Sequence, residues 1–288
     1  MIIDNRYKLL LNKLIGKGGF GKVYKGIDLK NNKKVAIKID KSNKYNNIEF
    51  QVYNKISNYK YLPKLIDFIK KKDKSFLIMK LYNKNCSKIL KLNENYFNIK
   101  DICMLAIQII QQLKILHSNN IIHRDIKPDN FVWDIKSNKF KLIDFGLCCN
   151  YIIDNNHINF ERSNRCGTLR YMSINAHNKY NLSRKDDIIS LAYSLILLYQ
   201  SKLPWKGLKE KNKKKLYNLV KKIKKQYNEN IHDQDLPKPL IFILSYANNL
   251  KFKDKPNYKF ILTVFYDFIK QDDKYDGKWS WIDDNIIW

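Results

Sequence analysis

Four groups of residues in this 288-residue chain could do chemistry together. The first is Gly16-Lys17-Gly18-Gly19-Phe20-Gly21-Lys22-Val23, in which Gly16, Gly18 and Gly21 are spaced G-x-G-x-x-G. Glycine lets a backbone come close to a polyphosphate and present amide N–H groups to it. The same spacing also suits a dinucleotide fold, but that fold needs a helix directly after the glycines. Lys22–Leu29 reads as a strand, which favours a β-hairpin lying over phosphates. The second group is Val35-Ala36-Ile37-Lys38, whose apolar residues argue that Lys38 is aimed inward. Glu49 is its obvious partner, the only acidic residue on the predicted helix Asn46–Ser57. The third is His123-Arg124-Asp125-Ile126-Lys127-Pro128-Asp129-Asn130, directly after a predicted strand at Ile121-Ile122. Asp125 is placed to orient an incoming hydroxyl and accept its proton, and Asn130 can ligate a magnesium ion. Lys127 can neutralise charge on a moving phosphoryl group. The fourth is Asp144-Phe145-Gly146, straight after a predicted strand at Phe140–Ile143. Its carboxylate suits magnesium that bridges phosphates. Each group alone is a weak signal. All four in this order are what phosphoryl transfer would require.

The elements that must position these residues follow from periodicity. Tyr7–Ile15, Lys22–Leu29 and Lys34–Ile39 are short, partly alternating segments broken by Gly-rich or Asn-rich turns, and they read as strands. Leu65–Ile69 and Phe76–Lys80 read the same way, on either side of no helix but after the one at Asn46–Ser57. From Phe97 onward helices dominate. Phe97–Ser118 carries apolar residues at helical spacing, namely Ile102, Leu105, Ile109, Leu113 and Leu116. Phe131–Trp133 is a further short strand. Later helices are expected at Ser183–Gln200, Lys209–Lys225, Pro239–Leu250 and Tyr258–Lys270. The pattern predicts a small β-rich part followed by a larger helical part, with the boundary near Tyr82–Cys86.

Composition narrows the class. Hydrophobic residues make up 44% of the chain, enough to bury a large core. The longest strongly apolar stretch, Ile188–Tyr199, is shorter than the roughly 20 residues that span a bilayer, so a buried core helix is expected. The N-terminus has no apolar run of signal-peptide length. An intracellular protein, cytoplasmic or nuclear and not secreted, is the expectation. The five cysteines are Cys86, Cys103, Cys148, Cys149 and Cys166, with no C-x-x-C pair. That argues against structural zinc and a disulfide framework and for reduced thiols. The net charge of +28 has the sign of a nucleic-acid binder. Arginine, however, occurs only at positions 6, 124, 162, 165, 170 and 184, and a phosphate-gripping surface would more often use its planar fork. Lysine, asparagine, isoleucine and tyrosine all have AT-rich codons, so codon usage accounts for much of the charge. Nucleic-acid binding is not the favoured reading.

On these motifs the chain resembles the eukaryotic protein kinase superfamily over essentially its whole length. Val35-Ala36-Ile37-Lys38 matches a signature whose lysine holds the α- and β-phosphates and pairs with a helix glutamate. The resemblance implies an α+β, bilobal fold in a single kinase domain over 1–288. The N-lobe would span about 1–81, the hinge about 80–86 and the C-lobe about 87–288. Lys127 and Thr168 look like the serine/threonine branch. Ser173-Ile174-Asn175, where the superfamily has A-P-E, is similar to the casein kinase 1 family. So are Leu116-His117-Ser118, Ser183-Arg184-Lys185-Asp186-Asp187, Leu203-Pro204-Trp205-Lys206-Gly207-Leu208, Lys253-Asp254-Lys255-Pro256-Asn257-Tyr258 and the stretch Tyr275–Trp279.

The resemblance further implies ATP and Mg2+ as cofactors. Gly16, Gly18, Gly19, Phe20, Gly21, Val23, Ala36 and Lys38 would line the nucleotide site. Met79 would be the gatekeeper, and Leu81-Tyr82 the hinge backbone that pairs with adenine. Asn130 and Asp144 would hold the metal. Asp125, Lys127, Lys38, Glu49 and Thr168 would be catalytic, with Thr168 bridging Asp125 and Lys127, and Asp187 bracing the catalytic loop from the central helix. The expected partners are protein substrates, with acidic or phosphate-primed ones preferred. No membrane contact is expected, and the chain should be a monomer. Arg170 and Gly207 stand where two elements of a basic substrate pocket should be. Leu216 replaces a basic residue there, with Lys213, Lys214 and Lys215 close by. Asn83-Lys84-Asn85-Cys86-Ser87 departs from the family's Gly-Pro-Ser-Leu-like turn. A scaffold that binds partners without catalysis is the competing reading. It would be marked by loss of Lys38, Asp125, Asn130 or Asp144, and all four are present.

Overall fold

Alternating apolar residues and a tight glycine turn make the first half of the sheet. The computed structural model describes residues 1–19, 21–93, 97–271 and 276–282, so Phe20 and Tyr275 lie outside the described residues. Strands β1 (Ile2–Ile3), β2 (Tyr7–Gly18), β3 (Gly21–Asp28) and β4 (Lys33–Asp40) lead into helix α1 (Lys44–Ile56), followed by β5 (Leu65–Lys70) and β6 (Ser75–Lys80). The six strands form one antiparallel sheet in the order β1-β2-β3-β4-β6-β5. Tyr7, Leu9, Val35, Ile37, Phe76 and Ile78 bury one face as a small core.

The segment after Lys80 leads into α2 (Cys86–Leu92), an element the sequence pattern does not announce. Asn85 starts it, its side chain accepting the N–H of Lys88, so the residues that depart from the family's turn become a helix cap. Then come α3 (Ile99–Ser118), β7 (Ile121–Ile122), β8 (Phe131–Asp134) and β9 (Lys139–Leu142). The short strands β10 (Cys149–Asn150), β11 (Ile152–Ile153) and β12 (Asn156–His157) precede α4 (Ile174–His177). The rest is α5 (Arg184–Gln200), α6 (Lys213–Glu229), α7 (Lys238–Asn249) and α8 (Tyr258–Lys270). The arrangement is the expected bilobal α+β fold.

Helix α6 begins four residues later than the lysine-rich stretch suggests. Asn212 sets the start, its Oδ1 accepting the N–H groups of Lys214 and Lys215. Helix α5 is apolar on nearly every side and runs through the middle of the larger core, as a fully buried helix must. Among the described residues no helix is long and apolar enough to cross a membrane. The large core is continuous from Val52, Tyr53 and Ile56 on α1, through α3 and α5, to Phe265 on α8. Near its end the chain returns to α3. Trp279 and Trp281 pack their rings against Trp133 and Phe140, and Ser280 donates from its backbone and hydroxyl to Asp101.

One buried histidine makes the fold acid-sensitive. His177, at the end of α4, is 5% exposed and packs edge-on against Tyr217 of α6. Burial, together with the cations Lys224, Arg165 and Lys221, drops its pKa to about 3. The unfolded chain takes up this proton below about pH 6.5, while the folded chain stays neutral. Stability present above that pH is therefore lost as pH falls toward about 3, by up to about 1.4 kcal/mol per pH unit. The melting temperature should drop between pH 7.5 and 5, and drop less in His177→Phe. An equal drop in both proteins would contradict this.

Candidate active site

The glycine hairpin is the turn between β2 and β3, with Gly16 opposite Val23 and Gly18 opposite Gly21. Gly21 has φ +137°, and a Cβ there would sit 2.3 Å from the carbonyl oxygen of Ile39, so no other residue fits. A Cβ on Gly18 or Gly19 would meet nothing within 4 Å, which leaves that side of the hairpin open for a ligand's approach. Beneath it, β4 carries Ala36 and Lys38. Val23 pairs with Lys38, and Ala36 pairs with Met79 on β6. Met79 is half-buried, and its sulfur accepts the hydroxyl of Tyr53 at 3.4 Å. Leu81 and Tyr82 are half-buried and follow directly. The Tyr82 hydroxyl accepts the N–H of Lys64, and Asn83 donates to the carbonyl of Trp133 on β8. The strand pairing thus sets Val23, Ala36 and Met79 side by side, with Gly16, Gly18, Gly19 and Gly21 toward one end of β4 and Leu81 and Tyr82 toward the other.

Lys38 joins three elements. Its Nζ lies 2.7 Å from Oε2 of Glu49 on α1 and 2.6 Å from Oδ1 of Asp144, just after β9. Burial disfavours the ammonium, but the two carboxylates outweigh that and hold its pKa above the ordinary lysine range. Burial likewise pushes Asp144 up, and Lys38 more than reverses the effect, so Asp144 stays ionised below its usual range. The second oxygen of Glu49 accepts the N–H of Phe145. The Phe145 ring stands edge-on to Tyr53 and to His123. The Glu49 side chain is 1% exposed and that of Asp144 27%, so only the second carboxylate is open to an incoming cation.

The loop between β7 and β8 carries the remaining groups. Asp125 is 5% exposed. Its Oδ1 accepts from the N–H and hydroxyl of Thr168 at 2.9 and 2.7 Å, and its Oδ2 accepts from Lys127 Nζ at 2.5 Å. Lys127 also donates to the Thr168 hydroxyl at 3.1 Å. Thr168 can come this close because Gly167 precedes it. There φ is +90°, and a Cβ would sit 2.6 Å from the carbonyl oxygen of Arg124. Asn130 donates its Nδ2 to the Asp125 carbonyl, which commits the nitrogen end of the amide and leaves the oxygen end for a cation. Asn130 and Asp144 are hard oxygen donors of the kind magnesium takes together with phosphate and water. Among the described residues no cluster of three His, Cys, Asp or Glu forms a closed metal cage. His123 is neutral because burial lowers its pKa. It donates Nε2–H to Ile143 and accepts the N–H of Asp125 at Nδ1.

The loop is held from behind by α5. Asp187 accepts the N–H of Arg124 at 2.8 Å and of His123 at 2.7 Å, and Nε2–H of His117 at 3.0 Å. That leaves His117 Nδ1 to accept the hydroxyl of Tyr258 on α8. Burial raises the Asp187 pKa, but the bond from His117 and the surrounding donors overcome it and hold the carboxylate ionised. The neighbouring Asp186 ties down the Ser-Ile-Asn motif. Its Oδ1 accepts from Ser173 Oγ at 2.6 Å and Asn175 Nδ2 at 3.1 Å, while its Oδ2 caps Ser183 N–H. Ser173 also caps α4 by accepting the N–H of Ala176.

Trp205 Nε1–H donates to the carbonyl of Arg170, which brings the stretch containing Gly207 against the Thr168 segment. Beyond Gly207 an open cavity of about 380 Å3 is lined by Leu208, Lys209, Glu210, Lys211 and Leu216. Lys213, Lys214 and Lys215 are exposed at the start of α6. The cysteines carry free thiols, and Cys86, Cys103 and Cys148 are buried packing residues. Sequence reasoning missed two groups of consequence. His117 appears in it only as part of a family string, and Lys224 not at all. The signal for Lys224 is its place in the periodic stripe Val220, Lys224, Tyr227, where an apolar residue belongs.

The geometry joins Lys38, Glu49 and Asp144 in one cluster and Asp125, Lys127, Asn130 and Thr168 in another, with the glycine hairpin at the end of β4 and Phe20 outside the described residues. A family model of the protein kinase domain matches residues 9–263. That span takes in the glycine hairpin, the Lys38 cluster, the Asp125 loop, Asp144, Thr168 and the α5 brace. The chain belongs to the protein kinase family.

Proposed function

We propose that this chain is an ATP-dependent serine/threonine kinase similar to casein kinase 1, moving the γ-phosphoryl group of ATP to hydroxyls of protein substrates. The observation that carries the reading is the buried arrangement of Asp125, Lys127 and Thr168. A single carboxylate is held by two donors from Thr168 and one ammonium, ready to receive a proton without having to reorganise.

In this reading the hairpin of Gly16, Gly18, Gly19 and Gly21 lies over the phosphates, and Val23, Ala36, Met79 and the Leu81-Tyr82 backbone border the base. Lys38, steadied by Glu49, binds the α- and β-phosphates. Magnesium, held by Asn130 and Asp144, supplies neutralisation of phosphate charge. Asp125 orients the serine or threonine hydroxyl and takes its proton. Lys127 offsets negative charge on the moving group. Thr168 keeps Asp125 and Lys127 in register. Positioning and electrostatics account for most of the catalysis in such a site.

Acidic or phosphate-primed protein substrates are the proposed targets. Support comes from Arg170, the lysines around the cavity beyond Gly207 and the exposed Lys213, Lys214 and Lys215, although Leu216 leaves the pocket with one basic group fewer. The reduced cysteines fit work inside the cell.

Labelled phosphoryl transfer from Mg-ATP to casein is the direct test. Asp125→Asn should lower the rate by about 10²- to 10⁴-fold with ATP binding retained, and the label should appear on serine or threonine. Label on tyrosine would overturn the branch assignment. No transfer from folded, ATP-binding protein would favour a non-catalytic scaffold. Peptides with a phosphoserine or acidic cluster upstream of the target should react several-fold faster than neutral ones. Equal kcat/KM values would contradict the substrate reading.

A further inference from the structure

Lys224 is 0% exposed, in the middle of α6, the most buried charged side chain on a helix that otherwise shows its lysines to solvent. Burial pushes its pKa well below the ordinary lysine value, and no carboxylate among the described residues offsets it. A lysine in such a place costs stability unless its N–H groups are satisfied. Here they are satisfied by backbone. Nζ donates to the carbonyl of Leu169 at 2.9 Å and to that of Met172 at 2.7 Å. The amine also lies against two aromatic rings, 5.0 Å from the centre of Tyr193 and 5.2 Å from that of Trp205.

The two carbonyls belong to the turn that begins at Thr168. The Thr168 carbonyl accepts the N–H groups of Tyr171 and Met172, and Trp205 holds the Arg170 carbonyl at 2.7 Å. Four carbonyls in five residues are therefore bonded, three of them by the Lys224–Trp205 pair. At its other end the same turn grips Asp125 through Thr168. A rigid segment thus runs from the interior of α6 to the catalytic carboxylate. Arg170, half-buried within it, and the cavity beyond Gly207 lie on the face where a protein substrate would be laid.

We propose that Lys224 is a positioning residue for protein substrate: by holding the carbonyls of Leu169 and Met172 it fixes the Thr168–Met172 turn, and so sets productive peptide binding without contributing to nucleotide binding. The proposal rests on the phosphotransfer reading above for its kinetic consequence but not for its structural one. Lysine is the residue type that the geometry demands. Methionine has the length and no donor, and would leave two buried carbonyls unbonded.

The test compares wild type, Lys224→Met and Trp205→Phe, the last removing the bond to Arg170 and part of the ring that Lys224 lies against. The readouts are KM and kcat for an acidic peptide, KM for Mg-ATP, and amide hydrogen exchange at Tyr171 and Met172. Lys224→Met should lower kcat/KM for peptide about tenfold or more, mainly through KM, with KM for ATP unchanged and faster exchange at both amides. Trp205→Phe should shift the same quantities in the same direction by less, and it keeps the test decisive should Lys224→Met fold poorly. Peptide KM and amide exchange unchanged, or equal losses for peptide and ATP, would overturn the proposal. If the wild type transfers no phosphoryl group, the functional reading fails, while hydrogen exchange still decides whether Lys224 fixes the turn.

Discussion

At the N-terminus of α5 two adjacent carboxylates are buried, and the rest of the site hangs from them. Burying a carboxylate costs several kcal/mol unless donors replace water. Asp187 is surrounded by three, two of them the successive backbone N–H groups of His123 and Arg124. Asp186 is likewise met by Ser173, Asn175 and the N–H of Ser183. The positive end of the helix favours both charges. Each bond is charge-assisted and so stronger and more directional than a neutral one. The loop carrying Asp125 and the segment following Thr168 are thereby referred to the same point on the same rigid helix.

A second constraint joins the sheet to this base. Lys38 reaches from β4 to Glu49 and to Asp144, so one ammonium links the sheet, α1 and the segment after β9. The aromatic contacts of Phe145 with Tyr53 and His123 run parallel to it. Two of the site's charges therefore depend on one another, while His123 stands apart. Lys38 is charged because two carboxylates face it, Asp144 is ionised because Lys38 faces it, and His123 stays neutral because it is buried. The glycines do a different job. Gly21 and Gly167 sit where any side chain would strike a backbone carbonyl, one letting the hairpin close on β4 and the other letting Thr168 reach Asp125.

The strands that build the sheet were legible because they alternate and are punctuated by Gly and Asn. Helices α3 and α8 were legible because their apolar residues recur at helical spacing, and α5 because it is one long apolar run. The clusters were legible because Lys38, Asp125, Asn130 and Asp144 stand in short motifs, and the fold sets Lys38 against Asp144 and Asn130 against Asp125. What escaped did so for physical reasons. Helix α2 is short, and it is set by Asn85 acting as a cap in a stretch that otherwise reads as a turn. The start of α6 depends on Asn212, which is hard to pick out among consecutive lysines with no apolar period. Lys224 looks like any other lysine in a chain of net charge +28, and only its helical phase marks it as buried. The Ser-Ile-Asn motif could be matched by family likeness but its role could not be read, because Asp186 lies eleven to thirteen residues away.

The most direct measurement of this account is the effect of Asp187→Asn on kcat for peptide phosphorylation and on the Kd for Mg-ATP. The amide keeps the shape but removes the charge and turns an N–H group toward the backbone donors of His123 and Arg124. At about 1–3 kcal/mol for an unmet buried donor, kcat should fall at least about fivefold, with the nucleotide Kd nearly unchanged, since Lys38 and the glycine hairpin do not touch Asp187. An unchanged kcat in a folded variant, or a parallel loss of nucleotide affinity, would contradict the claim that α5 sets the position of the catalytic loop.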